Sequence, residues 1–420
     1  MAREMKDSGV EWIGDIPNGW NITRNKFVMV KEKQICPIYK NQDVLSLTQK
    51  GVIVRDLDNP TGKMPTSFDG YQYIHKGNLL MCLFDIDVTP RCIGLIKDDG
   101  ITSPAYSQFI VNHGFANYYY YYYLMLDFSK ELLHLAKNLR YSLTEELLGF
   151  VPVPFPPLEE QKNISNFLDK KCSEIDNLTA DIEKQISLLE DYKKSIITEA
   201  VTKGLNPNVE MKDSGIEWIG KIPKHWKISK LKYLIQVNNT KSSNNEYKYV
   251  GLENVIGWAG KLVDDTNMSE SEFVPESSSN KAKKGDVLFG KLRPYLGKVF
   301  ISEENIICST EFLIMRPVDI EGKYLKLLFL SRDLVDVIDR STYGTKMPRA
   351  NSSFILNQYI PIPNTQEQNE ISAFLDKKCS EIDSLISDKK EQLEKLTSYK
   401  QSMIYEYVTG KKEVPTQEIA

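Results

Sequence analysis

The chain has 420 residues, 41% hydrophobic and 26% charged, with a formal net charge of −4. That length supports two to four domains with cores of their own, and no apolar run reaches the roughly 18 residues that a membrane-spanning helix needs. The mild acidity excludes a uniformly basic coat but not a local basic patch.

The opening MAREMKDSG lacks the apolar stretch of a secretory signal, which points to the cytoplasm. A tag follows, MKDSGVEWIGDIPNGW at residues 5–20, and it returns as MKDSGIEWIGKIPKHW at residues 211–226, with 12 of 16 positions identical. A repeat separated by half the chain implies two whole modules rather than a solenoid. Regular spacing of Trp12, Trp20, Trp218 and Trp226 reads as core packing against a helix, with partner-contact anchors the alternative.

Residues 21–152 and 226–361 share little sequence, yet one element order fits both. DVLSLT (43–48) matches KYVGLENV (248–255). KGNLLMCLFDIDVTPRCIGLI (76–96) matches KGDVLFGKLRPYLGKVFI (284–301). ITSPAYSQFIVN (101–112) matches ICSTEFLIMRP (307–317). Short β-rich runs broken by Gly, Asp and Pro predict a twisted antiparallel sheet in each module. Helical stretches follow at 117–138 and 323–340. The six tyrosines from Tyr118 to Tyr123 open the first of these, so they read as core and rim rather than as a base-stacking platform.

Loops between the strands are the better binding candidates. GKLRPYLGK carries Lys291, Arg293, Tyr295 and Lys298, and STYGTKMPRANS carries Thr345, Lys346 and Arg349. The first module offers Arg91 in DVTPRC, and Arg140 and Tyr141 in NLRYSLT. A forked guanidinium can read guanine O6 and N7, and a lysine can take a phosphate.

Each module runs into a proline-rich extended segment, FVPVPFPPLEEQ (150–161) or YIPIPNTQEQ (359–368), and then into a duplicated acidic stretch. QKNISNFLDKKCSEID (161–176) recurs as QNEISAFLDKKCSEID (368–383), with 13 of 16 positions identical. No Pro or Gly interrupts either stretch until Gly204 and Gly410, which leaves room for helices of roughly forty residues. Leu168, Ile175, Ile182, Leu189 and Ile196 fall every seven residues, joined by Cys172, Leu178, Ile186, Tyr192 and Ala200. The second copy has Leu375, Ile382, Leu396 and Met403, with Leu385, Leu393 and Tyr399 between. Such heptads predict a coiled coil in which the two helices pair antiparallel; the alternative is a solvent-exposed helix packed on its own domain. Acid excess sits here, −4 over 153–210 and −3 over 362–420, against +1 over 21–152 and +3 over 226–361.

Signatures of catalysis are missing. Six cysteines show no CxxC spacing and read as buried, reduced thiols; four histidines show no metal-binding pairing. Neither a Walker-type phosphate loop nor a methyltransferase tetrapeptide is present. The nearest nuclease-like set is Asp286 with Glu321-Gly322-Lys323.

Taken together, the chain resembles the DNA-specificity subunits of Type I restriction–modification enzymes over essentially its whole length. The resemblance rests on PFPPLEEQ leading into a long helix, echoed by PIPNTQEQ, and on the duplicated SGVEWIGDIP and SGIEWIGKIP. The second lead-in departs at Asn364-Thr365-Gln366, where the first has Pro157-Leu158-Glu159, which loosens the expected turn. The resemblance implies an α+β architecture with internal pseudo-twofold duplication. Target recognition domains at 1–152 and 211–361 are separated by spacer helices at 153–210 and 362–420, paired as an antiparallel coiled coil. It implies double-stranded DNA and two methyltransferase subunits as partners, restriction/translocase subunits in the full complex, no membrane, no cofactor and no catalysis by this chain. The rival readings are a coiled-coil scaffold that binds no DNA and a stand-alone DNA-acting enzyme.

Overall fold

The computed structural model of the chain describes residues 3–60, 64–89, 91–136, 141–242, 247–263, 279–344 and 346–415. They form two compact units, Met1–Asp181 with Glu391–Ala420, and Ile182–Lys390. The boundary falls inside both long helices.

In the first unit the tag is a hairpin, Met5–Asp7 against Asp15–Pro17. Strand Asn21–Arg24 then pairs antiparallel with Pro152–Phe155. This two-stranded ribbon has room for two prolines because it needs no second ladder. The core sheet runs Ile93–Leu95, Leu79–Met81, Ser107–Val111, Met29–Glu32, all antiparallel. A three-stranded sheet, Gly100–Thr102, Tyr71–Ile74, Gln34–Cys36, and a hairpin, Leu45–Thr48 with Gly51–Val54, complete the module.

The second unit repeats the plan. Its core sheet runs Val299–Ile301, Val287–Gly290, Phe312–Pro317, Ile235–Val237. Its matching hairpin is Val255–Ile256 with Lys261–Leu262. Strands Leu79–Met81 and Val287–Gly290 are buried throughout. Position in the sheet is thus kept while the residues differ.

Four expectations need correction. First, the sheets are not wholly antiparallel: Val44 bridges Ile101 in parallel, and Tyr249–Val250 runs parallel to Ile307–Cys308. A parallel neighbour requires a long crossover, and in both units the core-sheet hairpin supplies it. Second, the predicted module helices are broken. Helix Ala116–Ser129 ends at Lys130 in a left-handed conformation, before a 3₁₀ turn. The second stretch divides into Gly322–Leu328 and Arg332–Arg340, with the Ser331 hydroxyl turned back onto the Leu328 carbonyl at 2.7 Å. Tyr118, Tyr119, Tyr121, Tyr122 and Tyr123 are buried in the core of the first unit.

The long helices span Leu158–Lys203 and Thr365–Val408, about 69 and 66 Å at 1.5 Å per residue. Duplicated side chains fix their starts. Gln161 accepts the Phe115 N–H at 2.8 Å and donates to the Pro156 carbonyl at 2.9 Å. Gln368 does the same with the Glu321 N–H and the Pro363 carbonyl, at 2.8 and 3.0 Å. The departure at Asn364 does not loosen the turn. Asn364 Oδ1 accepts the Glu367 N–H at 2.9 Å, so an N-cap replaces the proline of the first copy.

Within each unit the helix segments run antiparallel. In the first, Phe167 meets Tyr407 with ring centroids 4.5 Å apart, and Lys400 pairs with Asp176 at 2.5 Å. In the second, Lys193 pairs with Asp383 at 2.6 Å and Lys389 bonds to Gln185. Numbers rise on one helix as they fall on the other. Leu168, Ile175, Ile182, Leu375, Ile382 and Met403 are buried as the heptads require. The fourth correction lies here: Leu178, Tyr192, Leu385 and Tyr399 are exposed, the tyrosines by 55% and 59%. At 3.6 residues per turn, Tyr192 lies about 100° around the helix from Ile175, outside the stripe that one partner helix covers.

Candidate nucleic-acid interface

The predicted residues of the second unit lie on two loops that the backbone joins. The Ala350 N–H donates to the Lys291 carbonyl at 2.9 Å, and the Arg293 N–H donates to the Pro348 carbonyl at 2.7 Å. Leu292 bridges Arg349 between them. The first unit joins the corresponding loops in the same way: the Leu143 N–H donates to the Leu83 carbonyl at 2.7 Å, and the Ile86 N–H to the Tyr141 carbonyl at 3.3 Å. Each module therefore presents one composite surface made of two loops.

On the second surface Arg293, Tyr295 and Lys346 are exposed. Arg293 holds φ +52°, a conformation worth about 1–3 kcal/mol of strain for a residue with a Cβ. Its N–H bond to Pro348 and the following turn Pro294–Leu296 keep it there. Arg349 is half-buried and pairs with Glu311 at 2.9 Å. Lys291 is half-buried too; burial, then the nearby Arg349 charge, hold its ammonium below the ordinary lysine pKa. Lys298 donates its ammonium to the Leu252 carbonyl at 2.7 Å, bracing the turn Leu252–Asn254. Thr345 lies outside the described residues.

On the first surface Tyr141 is exposed, at φ +42°. Arg91 is engaged internally: its Nε donates to the Ile93 carbonyl at 3.1 Å, Nη1 to the Gln49 carbonyl at 2.5 Å, and Nη2 to the Tyr120 hydroxyl. That side chain braces its loop. Arg140 lies outside the described residues.

One residue of the surface escaped the sequence reading. Trp258, in the turn Gly257-Trp258-Ala259-Gly260, donates its backbone N–H to the Gly297 carbonyl at 3.0 Å and its indole N–H to the Tyr295 carbonyl at 3.2 Å. The available signal was that it is the one tryptophan outside the duplicated tags.

Chemically, the second surface presents a guanidinium, a phenol and an ammonium on stiff turns, a set suited to base edges and phosphates, while the described part of the first presents the Tyr141 phenol. The nuclease-like set is closed. Asp286 is buried and held by Arg316 through two bonds of 2.9 Å, and it also accepts the Lys283 N–H at 2.9 Å. No cluster of three His, Cys, Asp or Glu side chains able to hold a metal occurs among the described residues. None of their helices is long and apolar enough to cross a membrane.

Comparison with known proteins gives a consistent picture. The profile of the Type I restriction modification DNA specificity domain matches residues 94–188 and 223–395. The MjaVIII Type I restriction enzyme specificity subunit of Methanocaldococcus jannaschii is 30% identical over 280 residues, 62% of this chain and 62% of that protein. The EcoDI specificity subunit of Escherichia coli is 20% identical over 280 residues, again 62% of each. The chain thus spans about three fifths of the length of these relatives. Among solved structures, a chain from a study of complex assembly and conformational transition of the type I R-M system has a TM-score of 0.67 at 15% identity, covering 94% of this chain and 98% of that one.

Proposed function

We propose, for a chain that belongs to the Type I restriction modification DNA specificity family, that it is the sequence-reading subunit of such a complex. Residues 1–152 and 211–361 are its target recognition domains, and each reads one half of a bipartite, asymmetric target in double-stranded DNA. Residues 153–210 and 362–420 are spacer segments that set the distance between the halves and dock two methyltransferase subunits. The full complex adds restriction/translocase subunits, and it works in the cytoplasm. The chain itself supplies recognition and the partners supply the chemistry.

The observation that carries this reading is the joining of the same two loops in both modules, on the same strand order, with different residues at the tips. A duplicated frame with divergent tips suits two readers of unlike sequences. A coiled-coil scaffold has no use for it.

The test is a gel shift of a duplex library, with and without the methyltransferase subunits. With modules carrying only +1 and +3 net charges, the chain alone has little phosphate-driven affinity. Weak binding by the chain and selective binding by the complex are expected. No selection by the complex would overturn the proposal.

A further inference from the structure

We infer that Trp258 is a positioning residue for the turn at 291–298, and that it fixes this turn to the long helix Leu158–Lys203. The inference rests on the reading of that turn as DNA-facing.

Trp258 is held at φ +60°. A bulky side chain stays in that region only where its surroundings over-determine it, and here they do. Its two N–H groups take alternate turn carbonyls, those of Tyr295 and Gly297. Its ring lies against Gly297 so closely that a Cβ there would stand 2.6 Å from Cδ2. Beside it, Gly257 approaches the Leu296 carbonyl, where an added Cβ would stand at 2.6 Å. The backbone of Tyr295, Leu296 and Gly297 is therefore gripped by one short turn.

The ring has a second neighbour. Lys194, on the long helix, places Nζ 5.1 Å from the ring centroid, within range of a cation–π contact. Asp191 steadies that ammonium at 3.7 Å. A cavity of about 260 Å³, lined in part by Lys193, Asp383 and Ile386, borders Trp258. Specific contacts, rather than close packing all round, hold the ring.

The first unit solves the same problem differently. There the hairpin turn at Gln49 is tied through Arg91 to Tyr120 of helix Ala116–Ser129. That route ends on a module helix. In the second unit the route through Trp258 ends on the long helix itself, so the orientation of Arg293 and Tyr295 depends on Trp258.

The experiment uses the full chain assembled with its methyltransferase subunits, and reads methylation of a duplex library randomised in sequence. Trp258→Ala should lower discrimination at the second half-site by about tenfold or more, the range of coupled neighbours, and leave the first half-site unchanged. Trp258→Phe keeps the ring and loses the indole N–H, so it should recover part of the discrimination. Gly297→Ala should imitate Trp258→Ala, and the double variant should be less impaired than the two effects combined. If Trp258→Ala does not fold, Trp258→Phe and Gly297→Ala decide. Wild-type discrimination in these variants, or equal loss at both half-sites, would overturn the inference while the function stands. A wild-type complex with no half-site preference would overturn both.

Discussion

Trp20 lies against Gly410 so tightly that a Cβ at position 410 would stand 2.9 Å from the indole Cη2. The same indole donates to Glu160 at 2.8 Å. One tag tryptophan therefore joins the start of the first long helix to the end of the second. In the other unit Trp226 joins Glu367, at 3.3 Å, to Gly204, where a Cβ would stand 3.1 Å from the ring. This is what the duplicated tag is for: it locks a helix start to a helix end, once in each unit.

Both glycines are left-handed, at φ +74° and +76°, where a Cβ introduces about 1–2 kcal/mol of strain. Gly204→Ala should lose about that much stability. Gly410→Ala should lose more, because Pro17 would also meet the new Cβ, at 2.6 Å. Urea unfolding of the two variants checks the order, and equal losses would contradict the tight contact at 410.

Burial raises the Cys308 thiol to about 12, and the Cys172 thiol to about 11. A raised thiol favours the folded state while it stays protonated. That stability is complete below the ordinary value of 9.0 and is lost as the pH climbs from there through the folded values. In native chain at pH 8, brief alkylation followed by mass spectrometry should mark half-buried Cys379 first, and Cys172 and Cys308 only after unfolding. Early labelling of Cys308 would contradict its burial.

The exposed guanidinium of Arg293 and the engaged ammonium of Lys298 call for different outcomes. Arg293→Ala should relax one or two positions of the second half-site, by about 1–3 kcal/mol, with an unchanged melting temperature. Lys298→Ala should lower the melting temperature, because it frees the Leu252 carbonyl. Methylation profiles beside thermal melts separate the two, and an Arg293→Ala profile identical to wild type would remove Arg293 from the reading surface.

Much of this was legible in the sequence, for stated reasons. The duplicated stretches gave the two modules, and the absence of Pro and Gly gave the long helices nearly to their ends. Heptad spacing placed Ile175 and Ile182 correctly but also drew Leu178 and Tyr192 into the seam, because a seven-residue repeat hides the drift of a 3.6-residue turn. The parallel pairing of Val44 with Ile101 was invisible, since alternation reports which face is buried and not the direction of the neighbour. The loops were found from their Gly, Pro and Arg content. Their joining through bonds such as Arg293 to Pro348 was not, because it links residues some fifty positions apart. Arg91 and Lys298 looked like free cations for the same reason: a sequence does not show which carbonyls a long side chain will reach.

If the helices act as a ruler, one added heptad in each should move the half-sites apart. Insertions between Ile182 and Leu189 and between Lys389 and Leu396 keep the apolar stripe in register. They add about 10 Å at 1.5 Å per residue, roughly three base pairs at 3.4 Å each. The duplex turns about 100° over that interval, so the preferred spacing should settle where distance and groove phase best agree. A library randomised in spacer length reads this, and an unchanged preference with full activity would rule the helices out as the ruler.

Bipartite recognition requires independent reading by the two modules. Its most direct measurement is methylation mapping of the chain, with its methyltransferase subunits, before and after residues 226–361 are exchanged for the same module of another family member. The expected result is a two-part motif in which one half changes and the other is retained base for base. Change in both halves, or in neither, would contradict it.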